Sequence, residues 1–195
     1  ELDAITDPVF INGYSEPASS PGNFTVSINH TITVQLDGQN AGAGADGLQF
    51  NSSANGSIVR GLVINRFSGN GIRIDGADSV TVAGNYIGTD VAGAADQGNG
   101  GDGVFISGDA DFNNVGGMTS QDRNLISGNN GNGVRIDGAG AVSTLIIGNL
   151  IGTDNSGTAD VGNSGDGVRI TGTVSSTAIG GTSVLSTRNI ISGNN

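Results

Sequence analysis

The chain has 195 residues, 36 of them glycine, with 4% aromatic and 13% charged residues and a formal net charge of −11. All seven basic residues are arginine and there is no cysteine, which excludes a disulfide framework and a thiolate metal site and argues against nucleic acid or an anionic membrane as partner, since phosphate contacts need positive charge. The charge density is too low for a disordered chain, and no apolar run is long enough to span a membrane.

Residues 1–46 hold all three prolines, both glutamates and the only histidine, His30. Strands are predicted at Val9–Ile11 and Ile32–Leu36, inside irregular N-terminal coils. The chain begins at Glu1, without Met, and shows no signal peptide. It reads as part of a longer protein. A solenoid stopping at Asn195 would leave strand edges open, so further coils or a partner are expected there.

From residue 47 to 195 the chain repeats itself. Gly84-Asn85-Tyr86-Ile87-Gly88-Thr89-Asp90 returns as Gly148-Asn149-Leu150-Ile151-Gly152-Thr153-Asp154, 64 residues later. Inside that period lies a shorter unit, Gly-Asn/Asp-Gly-Ile/Val-x-Ile. Its second glycine is Gly71, Gly103, Gly133 and Gly167, with gaps of 32, 30 and 34. Each unit alternates, as in Val134-Arg135-Ile136-Asp137, so that aliphatic residues face one way and polar ones the other. This pattern predicts an all-β, right-handed parallel β-helix. Its three-sided coils would be about 30 residues long, in a two-coil super-repeat of about 64, and each coil buries its apolar face only against its neighbours. A second anchor, Asn85, Asn124, Asn149 and Asn189, is assigned to an amide ladder at a bend. Glycines beside the bends allow positive φ. Long loops are predicted at two edges, after Asp90 and Asp154 and before Arg123 and Arg188.

Ile5-Thr6-Asp7-Pro8-Val9, the run Ser57-Ile58-Val59-Arg60-Gly61-Leu62-Val63-Ile64-Asn65-Arg66-Phe67 and the Gly-Asn-x-Ile-Gly-Thr-Asp repeats resemble the right-handed β-helix repeats of large bacterial secreted and surface proteins of the pectate-lyase-like superfold. That resemblance implies an extracellular or cell-surface location. It also implies that a carbohydrate contact, where one exists, lies on the broad outer face of one sheet. Fold does not settle function, because lyases, glycosidases, adhesins and passive stalks share it.

The outward positions on that face are Arg73, Phe105, Arg135 and Arg169, flanked by Asp75 and Asp137. Arginine and aspartate suit uronate carboxylates and sugar hydroxyls, and Phe105 offers a ring. These residues occupy repeat positions, whereas catalysis needs a unique constellation, such as two carboxylates across a scissile bond. The expected function is therefore a non-catalytic structural or adhesive module, with polysaccharide or a cell-surface component as its partner. A polysaccharide lyase or glycoside hydrolase is the alternative, and a filament assembled end to end through open coils is a third. No cofactor is required. The oxygen-rich loops Asp90, Asp96, Asn99, Asp102 and Asp154, Asp160, Asn163, Asp166 could hold Ca2+. Asp and Asn also simply favour turns.

Overall fold

The computed structural model describes residues 2–23, 27–181 and 187–195, with the backbone alone at 139–140. Among the described residues, seventeen strands form three sheets, and every strand pairing is parallel. The first sheet stacks β3 (Leu48–Asn51), β6 (Ile72–Asp75), β9 (Val104–Ser107), β12 (Val134–Val142) and β15 (Val168–Ser175). The second stacks β1 (Phe10–Asn12), β4 (Ile58–Arg60), β7 (Thr81–Ala83), β10 (Asn114–Gly116), β13 (Leu145–Ile147) and β16 (Ala178–Ile179). The third stacks β2 (Val34–Asp37), β5 (Leu62–Asn65), β8 (Tyr86–Ile87), β11 (Leu125–Ile126), β14 (Leu150–Ile151) and β17 (Ile190–Ile191). The chain visits first, second and third sheet in turn and then climbs one rung. The protein is thus a three-sided parallel β-helix solenoid.

Period-two alternation fills its interior. Phe50, Ile74, Ile106 and Ile136 lie in register in the first sheet, Val59, Val82, Val115 and Ile146 in the second, and Ile64, Ile87, Ile126 and Ile151 in the third. All twelve are fully buried. Rungs about 4.8 Å apart bring apolar side chains into contact along the axis, so the core is three apolar columns, aliphatic but for Phe50, converging on one another. On the terminal coil the same columns continue through Ile170, Ile179 and Ile191, which are 41%, 48% and 44% exposed because no described coil lies over them.

The repeated glycine at the entry to the first sheet is needed for room. At Gly133 a Cβ would lie 2.5 Å from Ile151 Cγ2 and 2.6 Å from the Gly167 carbonyl oxygen, and its φ is not in the left-handed region. Positive φ is used instead at the bend that leaves the third sheet, by Gly88 (φ 94°) after β8 and Gly152 (φ 86°) after β14.

Residues 10–37 supply β1 and β2, in register with β4 and β5, and Ile5 bridges Phe50. The N-terminal residues are thus a partial coil of the same solenoid. Between β1 and β2 the described residues leave the helix and lie over the outside of the third sheet. There Ile28, His30 and Ile32 point inward at alternate positions onto Val63, Tyr86, Leu125 and Leu150. At Val63, Tyr86, Leu125 and Leu150 the third sheet is therefore apolar on its outer face as well as its inner one. Of the loop predicted between Gly181 and Arg188, residues 182–186 lie outside the described residues. Among the described residues no helix is long and apolar enough to cross a membrane.

Candidate functional site

Strand alternation that sends Ile and Val inward sends Arg, Phe and Asp outward along the first sheet. The resulting outer column reads Gln49, Arg73, Phe105, Arg135, Arg169 from rung to rung. Beside it runs Asn51, Asp75, Ser107, Asp137, Thr171. All six candidate contact residues, Arg73, Asp75, Phe105, Arg135, Asp137 and Arg169, therefore lie on one continuous surface.

Arg73 and Arg135 sit on the rungs either side of Phe105, with guanidinium carbons 5.6 and 4.9 Å from its ring centroid. Each such cation–π contact is worth about 0.5–1 kcal/mol at an exposed site. A visiting molecule meets a mixed Arg–Phe–Arg surface in which guanidinium groups flank the ring along the axis.

Each arginine also has a carboxylate. Arg73 Nη2 reaches Asp75 Oδ2 at 3.2 Å, and Arg135 donates to Asp137 and approaches Asp102 Oδ2 at 3.9 Å. Arg169 approaches Asp166 at 3.7 Å. Ser107 donates to Asp75 Oδ1 at 3.0 Å. Asp137 is held below the usual carboxylate range, first by the hydrogen bond from Arg135 and then by that from Thr171. A general acid for glycoside cleavage needs the opposite shift. What the face presents is neutralised, oriented donors and acceptors around an aromatic ring.

The bends are built from stacked amides. Asn85 Nδ2 donates to Asn124 Oδ1 at 3.2 Å, Asn124 to Asn149 at 3.0 Å, and Asn149 to Asn189 at 3.2 Å. The backbone N–H of each donor residue reaches the same oxygen. Asn85, Asn124 and Asn149 have no accessible surface, so each amide satisfies backbone groups that water does not reach.

Two further ladders were not foreseen. Asn99, Asn129, Asn163 and Asn194 form one, with Nδ2–Oδ1 distances of 2.9, 2.9 and 2.8 Å. Asp46, Asn70, Asp102, Asn132 and Asp166 form the other, alternating acid and amide. Its members directly precede the anchor glycines, and the first three of the Asn99 series lie four residues before one. That constant spacing was the available signal.

These ladders decide what the oxygen-rich loops can do. Asn99 and Asn163 are buried rungs of an amide ladder, and Asp102 and Asp166 are rungs of the acid–amide ladder that also face Arg135 and Arg169. Asp90 accepts from the amides of Ala94 and Ala95 at 2.9 and 3.1 Å. Asp154 accepts from Thr158 and Ala159, both at 3.0 Å, and from the Ser156 hydroxyl. Asp96 and Asp160 accept from Gly98 and Gly162. Each of the four residues of a loop therefore has a hydrogen-bond partner of its own. Among the described residues, no three His, Cys, Asp or Glu side chains come together as a metal site. The two loops stack instead, with Asn155 donating to the carbonyls of Gly93 and Ala92 at 2.8 and 2.9 Å.

No family model, curated protein or solved structure matches the chain. Its function must be argued from the chemistry of this face and these ladders.

Proposed function

We propose that the protein is a non-catalytic structural module working outside the cell, and that the outer face of its first sheet contacts carbohydrate. The Arg73–Phe105–Arg135 stack carries the reading. It is an aromatic ring between planar cations, part-exposed, with Asp75 and Asp137 alongside. Paired arginine and aspartate supply donors and acceptors for vicinal hydroxyls, and Arg169 extends the surface one rung further. Rungs about 4.8 Å apart suit a linear polymer lying along the axis, which would meet one residue of the outer column at each step.

A scaffold role is supported by how the polar groups are used. The ladder amides and loop carboxylates described above are bonded to their own neighbours, which rigidifies the rod and leaves them poorly placed for chemistry. The test is equilibrium binding to soluble neutral and acidic polysaccharides. Wild-type protein should bind at least one of them, and Phe105→Ala and Arg135→Ala should each weaken that binding about tenfold, the loss of one good contact. Equal binding by wild type and both variants, or release of reducing ends or unsaturated uronates, overturns the proposal.

A further inference from the structure

The outside of the third sheet carries an apolar stripe, Val63, Tyr86, Leu125 and Leu150, running across four coils. It is covered by two arms of the N-terminal region, residues 13–23 and 27–33. These arms pair through reciprocal backbone bonds between Ser20 and Thr31 at 2.8 and 3.0 Å. Among the described residues several bonds tie them to the solenoid, among them one from the Tyr86 hydroxyl to the His30 carbonyl at 3.4 Å. The Tyr14 hydroxyl donates to the Gly84 carbonyl at 2.5 Å, the Ile28 amide to the Asn155 carbonyl at 2.6 Å, and His30 Nε2 lies 2.9 Å from the Arg123 carbonyl.

His30 is the central tie, and its geometry admits one protonation state. Nδ1 accepts the Gly22 amide proton at 2.7 Å, so Nε2 must carry the hydrogen that reaches Arg123. A second proton on Nδ1 would set two N–H groups against each other. The ring is 7% exposed and packs against Tyr14 and Tyr86, with centroids 5.7 and 6.0 Å away.

We infer that these two arms are a strap that neutral His30 locks over the third sheet, and that acidification releases the strap and uncovers the apolar stripe. The groups facing the ring are mixed. Burial, the largest influence, lowers the His30 pKa from 6.5, and the Arg60 charge lowers it further, while the Arg123 carbonyl and Asp122 act the other way. The net direction is downward. The released ring titrates at its ordinary value, so the lock is complete above about pH 6.5 and weakens as pH falls below it. Tyr14 and Tyr86 do not titrate in this window, since burial pushes both hydroxyls up, Tyr86 to about 12.

Amide hydrogen exchange by NMR tests this on the whole chain. Relative to pH 8, the protection factors of Ile28 and Thr31 should fall at pH 5 by up to about 30-fold, the limit set by an open-state pKa near 6.5. The Ile136 amide should keep its protection. The midpoint should follow the ring shifts of the only histidine. His30→Gln keeps a donor for the Arg123 carbonyl and cannot titrate, so its strap should stay protected at pH 5. Unchanged wild-type protection between pH 8 and pH 5 overturns the inference. So does an equal loss at Ile136, or the same fall in His30→Gln. If His30→Gln is already open at pH 8, the wild-type midpoint against the ring shifts decides alone.

Discussion

Asn129 shows what single residues contribute. Its amide donates to Asn163 Oδ1 at 2.9 Å and to the Ile87 carbonyl at 3.2 Å, while its oxygen receives Asn99 at 2.9 Å, all out of contact with solvent. Asn129→Ala strands several buried partners at once and should cost about 3 kcal/mol in urea unfolding. Asn129→Asp should also destabilise, because a carboxylate has no hydrogen to give Asn163. An effect below about 0.5 kcal/mol for both variants would mean that the ladder contributes nothing net. Gly133→Ala should cost at least about 2 kcal/mol, since the new methyl meets backbone and a packed isoleucine. Gly42→Ala meets nothing within 4 Å, though its φ of +99° carries a strain cost. At Asp154, burial raises the pKa, but the bonds from Ser156, Ala159, Thr158 and Gly157 outweigh it and leave it lowered. A depressed carboxylate gives stability that is present above the unfolded value and lost as pH falls through the folded one. The 154–160 loop should therefore loosen only below about pH 4, the ordinary carboxylate range, and its amide exchange would show this.

At the scale of elements, the same sequence position has different energetic weight in different coils. Ile136 in β12 is fully buried, while Ile170, its neighbour in register on β15, is 41% exposed. Ile136→Ala should cost about 3–4 kcal/mol by loss of packing and a cavity. Ile170→Ala should cost about 1 kcal/mol, and equal losses would mean that the terminal coil is covered. The first-sheet strands could be read from the chain because inward aliphatics alternate with outward polar residues. The third-sheet strands obey a different rule. Tyr86-Ile87, Leu125-Ile126 and Leu150-Ile151 are apolar at successive positions, because the inner residue joins the core and the outer one meets the strap. Paired apolar residues without alternation mark a strand buried on both sides, but the covering segment is more than fifty residues away in sequence from Tyr86. Local periodicity could not locate it. The amide ladder at Asn85 was legible because its motif recurs almost unchanged. The one through Asn99 was not, because the chain around it reads as an acidic loop.

At the scale of the molecule, a rod of repeated rungs is bound together along its axis by apolar columns and by amide and acid–amide ladders, which together restrain bending and slippage. Such a rod displays one surface along its length, and the outer column from Gln49 to Arg169 is the part of it with an aromatic ring among paired charges. The claim that this face meets carbohydrate while the protein does no chemistry is tested most directly by an NMR titration. Amide shifts would be followed as soluble polysaccharide fragments are added, with the sugar signals recorded in the same samples. The account predicts saturable shifts centred on Arg73, Phe105, Arg135 and Arg169, with the sugar chains unchanged after prolonged incubation. Shifts clustered on another face, no shifts with any fragment, or the growth of cleaved sugar signals would contradict it.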